Sequence, residues 1–329
     1  MNLSKAAGFT LKTGLLTLIL LVVMIAVSTA AVPMDEQQIE AAGNTLLPLL
    51  IVCAVNALIL SLIITQTSWR GLPLVLGLTL AFYGVQTFMG QIEAVVFLTP
   101  LGESMGAGSV PVLTMPLDFI IGQFIVGAAL AVIGVPAAAA LFGKIKRGEQ
   151  PEQDKKRGKF TTGEWILKLI AIMALYILLY FGFGYYVAWK SPALTAFYQG
   201  TDPGSFLAQM EHVAAQTPTL IPFQAFRALL WTAFALPVVK MLRSAPWKGA
   251  LLMGLFLSLP MNIPHIVPNP YMPPAVRTAH FIETASSNFI FGLLIFWLFH
   301  RHHSSLGDLL GLKGKPADRA QQTAEAVNG

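Results

Sequence analysis

Eight long apolar runs dominate the chain and constrain its fold more than any other feature. They cover roughly residues 11–32, 45–66, 72–98, 116–143, 164–190, 222–242, 249–267 and 280–300. A helix that crosses a bilayer needs about 20 mostly apolar residues. Hydrophobic residues make up 55% of the chain and charged residues 11%, the latter about half the share of an ordinary soluble domain. A soluble globule could not bury that much apolar surface, and a disordered chain would not carry it. The expected fold is an all-α polytopic membrane protein with eight transmembrane helices.

The net charge is +5, but its distribution argues against a nucleic-acid partner. The basic residues flank apolar runs, and no basic stripe is interleaved with aromatics. Lys5, Lys12, Arg70, Lys144, Lys146, Arg147, Lys155, Lys156, Arg157, Lys159, Lys240, Arg243, Lys248, Arg301, Lys313, Lys315 and Arg319 fall on one face. The other face receives Lys190, Arg227 and Arg277, with Asp35, Glu36, Glu40, Glu103, Asp202 and Glu211. The positive-inside rule therefore predicts N-in and C-in, both termini cytoplasmic. That pattern fits a multi-pass protein of a bacterial inner membrane. The single cysteine, Cys53, excludes an intrachain disulfide.

The first run also fits a signal peptide. Lys5 and Lys12 precede Gly14–Val27, and Ser28, Thr29 and Ala30 offer a cleavage site. An internal duplication speaks against it, because cleavage would remove a helix that has a counterpart. Phe9-Thr10 matches Phe160-Thr161. Thr45-Leu46-Leu47-Pro48 matches Thr219-Leu220-Ile221-Pro222, and Trp69-Arg70-Gly71 matches Trp247-Lys248-Gly249. Gly122–Gly127 matches Ser287–Gly292. The matches are collinear. They divide the chain into a four-helix repeat at 1–143, a charged cytoplasmic linker at 144–159, a second four-helix repeat at 160–303 and a cytoplasmic tail at 304–329. Four spans is an even number, so the repeats are parallel and their axis lies along the membrane normal.

Polar residues inside apolar runs are costly and mark candidate sites. Aligning the fourth and eighth runs pairs Asp118 with Glu283 and Gln123 with Asn288. Helical spacing places Tyr83, Gln86, Gly90 and Glu93 on one face, Ser258, Asn262 and His265 on another, and His280, Glu283, Thr284 and Ser287 on a third. Arg277 lies one turn before His280. Counted from the basic ends at 1.5 Å per residue, Asp118, Glu93 and Glu283 come about 27–39 Å along their helices, near the outer boundary where solvation is cheap. The substrate or ion site candidates are thus Gln86, Glu93, Asp118, Gln123, Arg277, His280, Glu283 and Asn288. His280 and Glu283, with His265 or Glu93, offer part of a zinc or other divalent-metal set, although no cofactor is predicted. The run Pro260–Pro274 contains six prolines and cannot remain a regular helix. His300, His302 and His303 with Arg301 read as a headgroup anchor.

Four plus four spans with both ends inside resembles haem A synthases in topology alone. The recurrent histidines within the helices are missing, so that activity does not carry over. Walker A, dinucleotide, G-x-S-x-G and H-E-x-x-H motifs are also missing. Any energy input then comes from ions, the membrane potential or another subunit. The function expected first is transporter-like, for a small-molecule or ion ligand held at an outward-facing polar site between the repeats. An outer-leaflet enzyme and a non-catalytic assembly or sensory subunit are the alternatives. The expected partner is the lipid bilayer, with homo-oligomer or partner subunit left open.

Overall fold

The computed structural model describes residues 3–32, 45–106, 111–146, 159–200, 204–303, 305–309 and 312. Eight of its helices are long and apolar enough to cross a membrane: α1 Leu3–Ala31, α2 Leu46–Gln66, α3 Gly71–Phe97, α4 Leu117–Leu141, α5 Thr162–Ala188, α6 Leu220–Met241, α7 Pro246–Ile266 and α8 Pro274–His300. The protein is an all-α membrane protein with eight candidate spans. Asp35, Glu36, Glu40, Asp202, Arg147, Lys155, Lys156, Arg157, Lys313, Lys315 and Arg319 lie outside the described residues, as do most of the 144–159 linker and the 304–329 tail.

Each span satisfies its backbone groups internally, which a bilayer demands. Side chains at helical spacing face outward as a lipid-ready surface. Leu11, Leu15, Leu18 and Val22 do so on α1, Leu72, Leu76 and Leu80 on α3, and Ile166 and Ile170 on α5. The opposite faces build one continuous core around Phe82, Trp231, Phe256, Phe291 and Phe296. Small residues allow close helix approach there. A Cβ on Gly127 would stand 1.8 Å from the Thr87 hydroxyl on α3, and one on Gly292 would stand 2.6 Å from the Met253 carbonyl oxygen on α7.

The packing order is regular. Helix α1 packs against α2 and α4, and α5 packs against α6 and α8. Helix α3 lies on α4, and α7 lies on α8. The first four helices meet the last four through α2 on α7 and α3 on α6. At the C-terminal ends of α2 and α6 the two segments touch main chain to main chain. Thr67 and Leu242 form an isolated antiparallel bridge. The Ser68 amide donates to the Met241 carbonyl at 3.1 Å, and the Arg243 amide donates to the Gln66 carbonyl at 2.9 Å. The Lys144 ammonium donates to the Thr67 carbonyl at 2.9 Å. Burial, and then the charge of Arg70, lowers the Lys144 pKa.

Three elements depart from the sequence expectation. Helix α1 begins at Leu3, so Lys5 and Lys12 lie within it. Helix α8 begins at Pro274, an ordinary first-turn position for proline; Arg277 and His280 are therefore helical. Helix α7 tolerates Pro260 and stays α-helical to Asn262 before a 3-10 turn at Ile263–Ile266.

The histidine cluster after α8 also departs from its expected role as a headgroup anchor. His303 is buried, and its amide donates to the Glu164 carboxylate at 3.1 Å. His302 Nδ1 lies 3.0 Å from the same carboxylate. The Lys168 ammonium, fully buried, donates to the Arg301 carbonyl at 2.6 Å and sits 3.3 Å over the Phe160 ring. These groups lock the end of α8 to the start of α5. A capping box at Thr161 and Glu164 sets where α5 begins. Burial foremost, then the charges of Lys168 and Arg301, lowers the His303 pKa.

Candidate functional site

A cavity of about 1500 Å³ occupies the opposite end of the bundle from the Thr67–Leu242 bridge. Every spanning helix except α6 contributes residues from two or three turns at one end, and α6 contributes Leu220. The connections after α5 complete the wall. Phe206–Gln216 is an amphipathic helix whose Gln209, His212 and Gln216 face inward, spaced one turn apart.

Irregular helix segments shape this wall. Residues Gly84–Phe88 of α3 and Gly184–Ala188 of α5 form single π turns. Each inserts one extra residue, which turns everything downstream by about 100° relative to a regular helix. The Phe234 ring of α6 packs into the space at Gly84, where a Cβ would stand 2.1 Å away. Gln86 within the turn and Gly90 and Glu93 past it line the cavity, and Tyr83 before it does not.

Two ionisable pairs stand at the cavity. Glu93 of α3 meets Arg227 of α6, with Arg227 Nη2 2.6 Å from Glu93 Oε2 and Nη1 3.3 Å from Oε1. Such a two-pronged contact suits a planar guanidinium. Arg227 is 2% exposed and lies behind the wall. It also donates to Gln224 Oε1 at 2.9 Å, and its guanidinium carbon lies 5.7 Å from the Tyr176 ring centre. Tyr176 in turn accepts from the Trp231 indole at 3.2 Å.

The second pair is His280 and Glu283 on α8. Glu283 is 8% exposed and lines the cavity. His280 Nδ1 lies 3.3 Å from Glu283 Oε2, and Nε2 lies 3.1 Å from the Tyr198 hydroxyl. A carboxylate only accepts, so the Nδ1 proton points to Glu283 and Nε2 accepts from Tyr198. Burial first, and then the charges of Glu93 and Glu283, raises the Tyr198 pKa. The tyrosine therefore stays a hydrogen-bond donor.

Arg277 lines the same cavity but serves the broken helix. Its Nη1 donates to the carbonyls of His265 at 2.8 Å and Val267 at 2.6 Å, and its Nε donates to that of Met272 at 3.2 Å. These carbonyls belong to the proline-rich segment after α7, where regular helix hydrogen bonding has ended. His265 Nδ1 donates to the Asn262 carbonyl at 2.9 Å. Asn262 is fully buried and accepts a hydrogen bond from Thr284.

The cavity thus gathers Gln86, Glu93, Gln123, His265, Arg277, His280 and Glu283. Asp118 stands outside its lining, exposed at the start of α4, where it accepts from the Phe119 amide at 2.8 Å. Asn288 is buried deeper on α8, with its amide nitrogen 3.7 Å from the Met261 sulfur. The fourth and eighth runs therefore hold their aligned acids in unlike surroundings. Glu283 is also buried rather than cheaply solvated. Among the described residues no group of three or more His, Cys, Asp and Glu side chains is placed to hold a metal ion. His265 and His280 lie with ring centres 6.3 Å apart; Nδ1 of His265 and both ring nitrogens of His280 are committed to other partners.

Sequence reasoning noted Arg227 but did not place it in the site. Its signal was a charge deep in an apolar run with Gln224 one turn before it. Tyr198 and the inward face of Phe206–Gln216 gave a weaker signal, since both sit in a connection. Comparison with known proteins finds no matching family model, no matching curated sequence and no matching solved structure.

Proposed function

We propose that this protein is a carrier that takes a small solute into the cavity and passes it between two tandem four-helix halves. The observation that carries this reading is the pairing of a large cavity that holds ionisable side chains at one end with a main-chain closure at the other. Carriers built from repeats bind near the repeat interface and open alternately to either side. The residues meeting at the closure support the duplication. Thr67 and Leu242 are 175 positions apart, close to the 174 and 178 that separate the matched motifs at Thr45 and Trp69. A two-fold axis brings equivalent residues face to face in this way. The helix packing has the same symmetry, with α2 on α7 answering α6 on α3.

With both termini inside, as the basic residues suggest, the cavity faces outward and the bridge is the inner gate. Glu93 with Arg227 then joins the halves beside the cavity, while His280 and Glu283 face the solute. Asp118 and Asn288 have supporting roles, the first as an acid in the opening turn of α4.

The experiment locks the gate. Residues paired in an antiparallel bridge lie within disulfide reach. In a Cys53→Ala background, Thr67→Cys with Leu242→Cys is oxidised and reconstituted in proteoliposomes. Solute accumulation should stop in the oxidised protein and return on reduction, while ligand binding persists. Undiminished accumulation with the disulfide formed would exclude this closure as a gate.

A further inference from the structure

The two acids of the cavity differ in how their charge is met. Glu93 is matched by a full guanidinium charge held on two oxygens. Glu283 is the more deeply enclosed, with 10% of its side chain exposed against 23% for Glu93, yet its sole side-chain partner among the described residues is the imidazole of His280 at 3.3 Å. Arg277 stands on the same helix with Nε and Nη1 committed to three backbone carbonyls. A carboxylate so buried is destabilised unless a positive group joins it.

The rest of the wall says what kind of positive group fits. A metal ion or sodium would need several converging ligands, and among the described residues no group of three or more His, Cys, Asp and Glu side chains is placed to supply them. Aromatic rings line the space instead: Phe97, Phe119, Tyr180, Tyr185, Trp189 and Tyr198. Ring faces attract organic cations, more strongly where water is excluded. The part of the wall from α1 and α2 is mostly apolar, with Met24, Leu46, Leu49 and Val52 beside Ser28 and Thr29. A volume of about 1500 Å³ exceeds what a bare ammonium needs and suits a cation carrying apolar groups.

We propose that the cavity binds an amphipathic organic cation, its charge against Glu283 and its apolar groups against the aromatic wall. The inference rests on the cavity being a ligand site, as proposed above, and names its substrate class. His280 orients the carboxylate, and Tyr198 fixes the tautomer of His280. Glu93 contributes negative potential that Arg227 largely cancels.

Equilibrium binding to the purified protein in nanodiscs tests this with three probes of similar shape: tetraphenylphosphonium as the cation, triphenylphosphine oxide as the neutral form and tetraphenylborate as the anion. Tetraphenylphosphonium should bind saturably, at one per chain, and at least about tenfold more tightly than the other two. Glu283→Gln should weaken it about tenfold or more, a loss of about 1.4 kcal/mol. Glu283→Asp, which keeps the charge on a shorter stem, should weaken it less. Glu211→Gln, on the connecting helix and away from the lining, should leave it unchanged. Equal binding of the three probes, or binding indifferent to both Glu283 variants, overturns the cation assignment while leaving a ligand cavity. Tighter binding of tetraphenylborate reverses its sign. Binding of none of the three removes the ligand site itself. Glu283-dependent binding without accumulation in proteoliposomes upholds the cation site and sinks the carrier reading alone.

Discussion

Glu93 and Glu283 are carboxylates at the same end of the same bundle, both on the wall of one cavity, and the structure treats them oppositely. Glu93 reaches across to α6 and receives both prongs of a buried arginine, which is held in turn by Gln224 and packed near Tyr176. Glu283 stays on its own helix with a histidine one turn away. The first arrangement spends its charge on joining two groups of helices. The second leaves charge facing an open space. On the proposed reading, two acids on one wall divide between structure and binding, and the partner decides which is which.

The largest expected effect comes from removing one side of the compensated pair. Arg227→Leu strands Glu93 against a buried wall and should lower stability by about 3–5 kcal/mol, read as a large drop in thermal midpoint in detergent. Adding Glu93→Gln to that variant should recover more than half of the loss, because the stranded charge is gone. If the double variant is as unstable as the single one, packing rather than charge holds that contact. The uncompensated acid should behave in the opposite sense. Glu283→Gln removes a buried charge and should raise the midpoint of the empty protein, by about 1 kcal/mol of stability. A fall matching that of Arg227→Leu would place both acids in one structural class and erase the contrast.

The smallest expected effect lies at the other end of the bundle, where no cavity intervenes. His303 is buried beside Lys168 and Arg301, with its folded-state pKa depressed. Its contribution is present above the unfolded value of about 6.5 and is lost as pH falls through the lower folded value, because the unfolded chain takes the proton more readily. The thermal midpoint should therefore decline between about pH 7 and pH 5. His303→Gln should make that decline shallower, and an unchanged slope would assign it to other groups.

Much of the architecture was legible because a bilayer asks one question of a sequence, whether about 20 residues in a row tolerate oil. All eight long helices answer it. Their ends were less legible. Lys5 and Lys12 look like a flank but lie within α1, because a long basic side chain can extend from a helix end toward water. The site was legible in part. Gln86, Glu93, Gln123, His265, Arg277, His280 and Glu283 declared themselves by polarity in apolar surroundings and do meet at one cavity. Glu93 and Arg227 are 134 positions apart, and no local pattern records their contact. Asp118 aligned with Glu283 by sequence but sits exposed, because it is the second residue of α4 whereas Glu283 is the tenth of α8 and so lies more than two turns inside its helix. The π turns in α3 and α5 leave no periodic trace, since one added residue is invisible to a pattern that already drifts.

The closure at Thr67 and Leu242 depends on two peptide hydrogen bonds, supplemented by Lys144. A net gain of about 1 kcal/mol apiece sets the hydrogen-bonded part of this latch near 2 kcal/mol. On the carrier reading, a difference of that size would leave the unlatched form at a few per cent of molecules at rest, common enough to be drawn on within each cycle and rare enough to keep the bilayer sealed. Peptide groups, unlike side chains, survive almost any substitution, so the strength of the latch would hold steady while the residues around it drift.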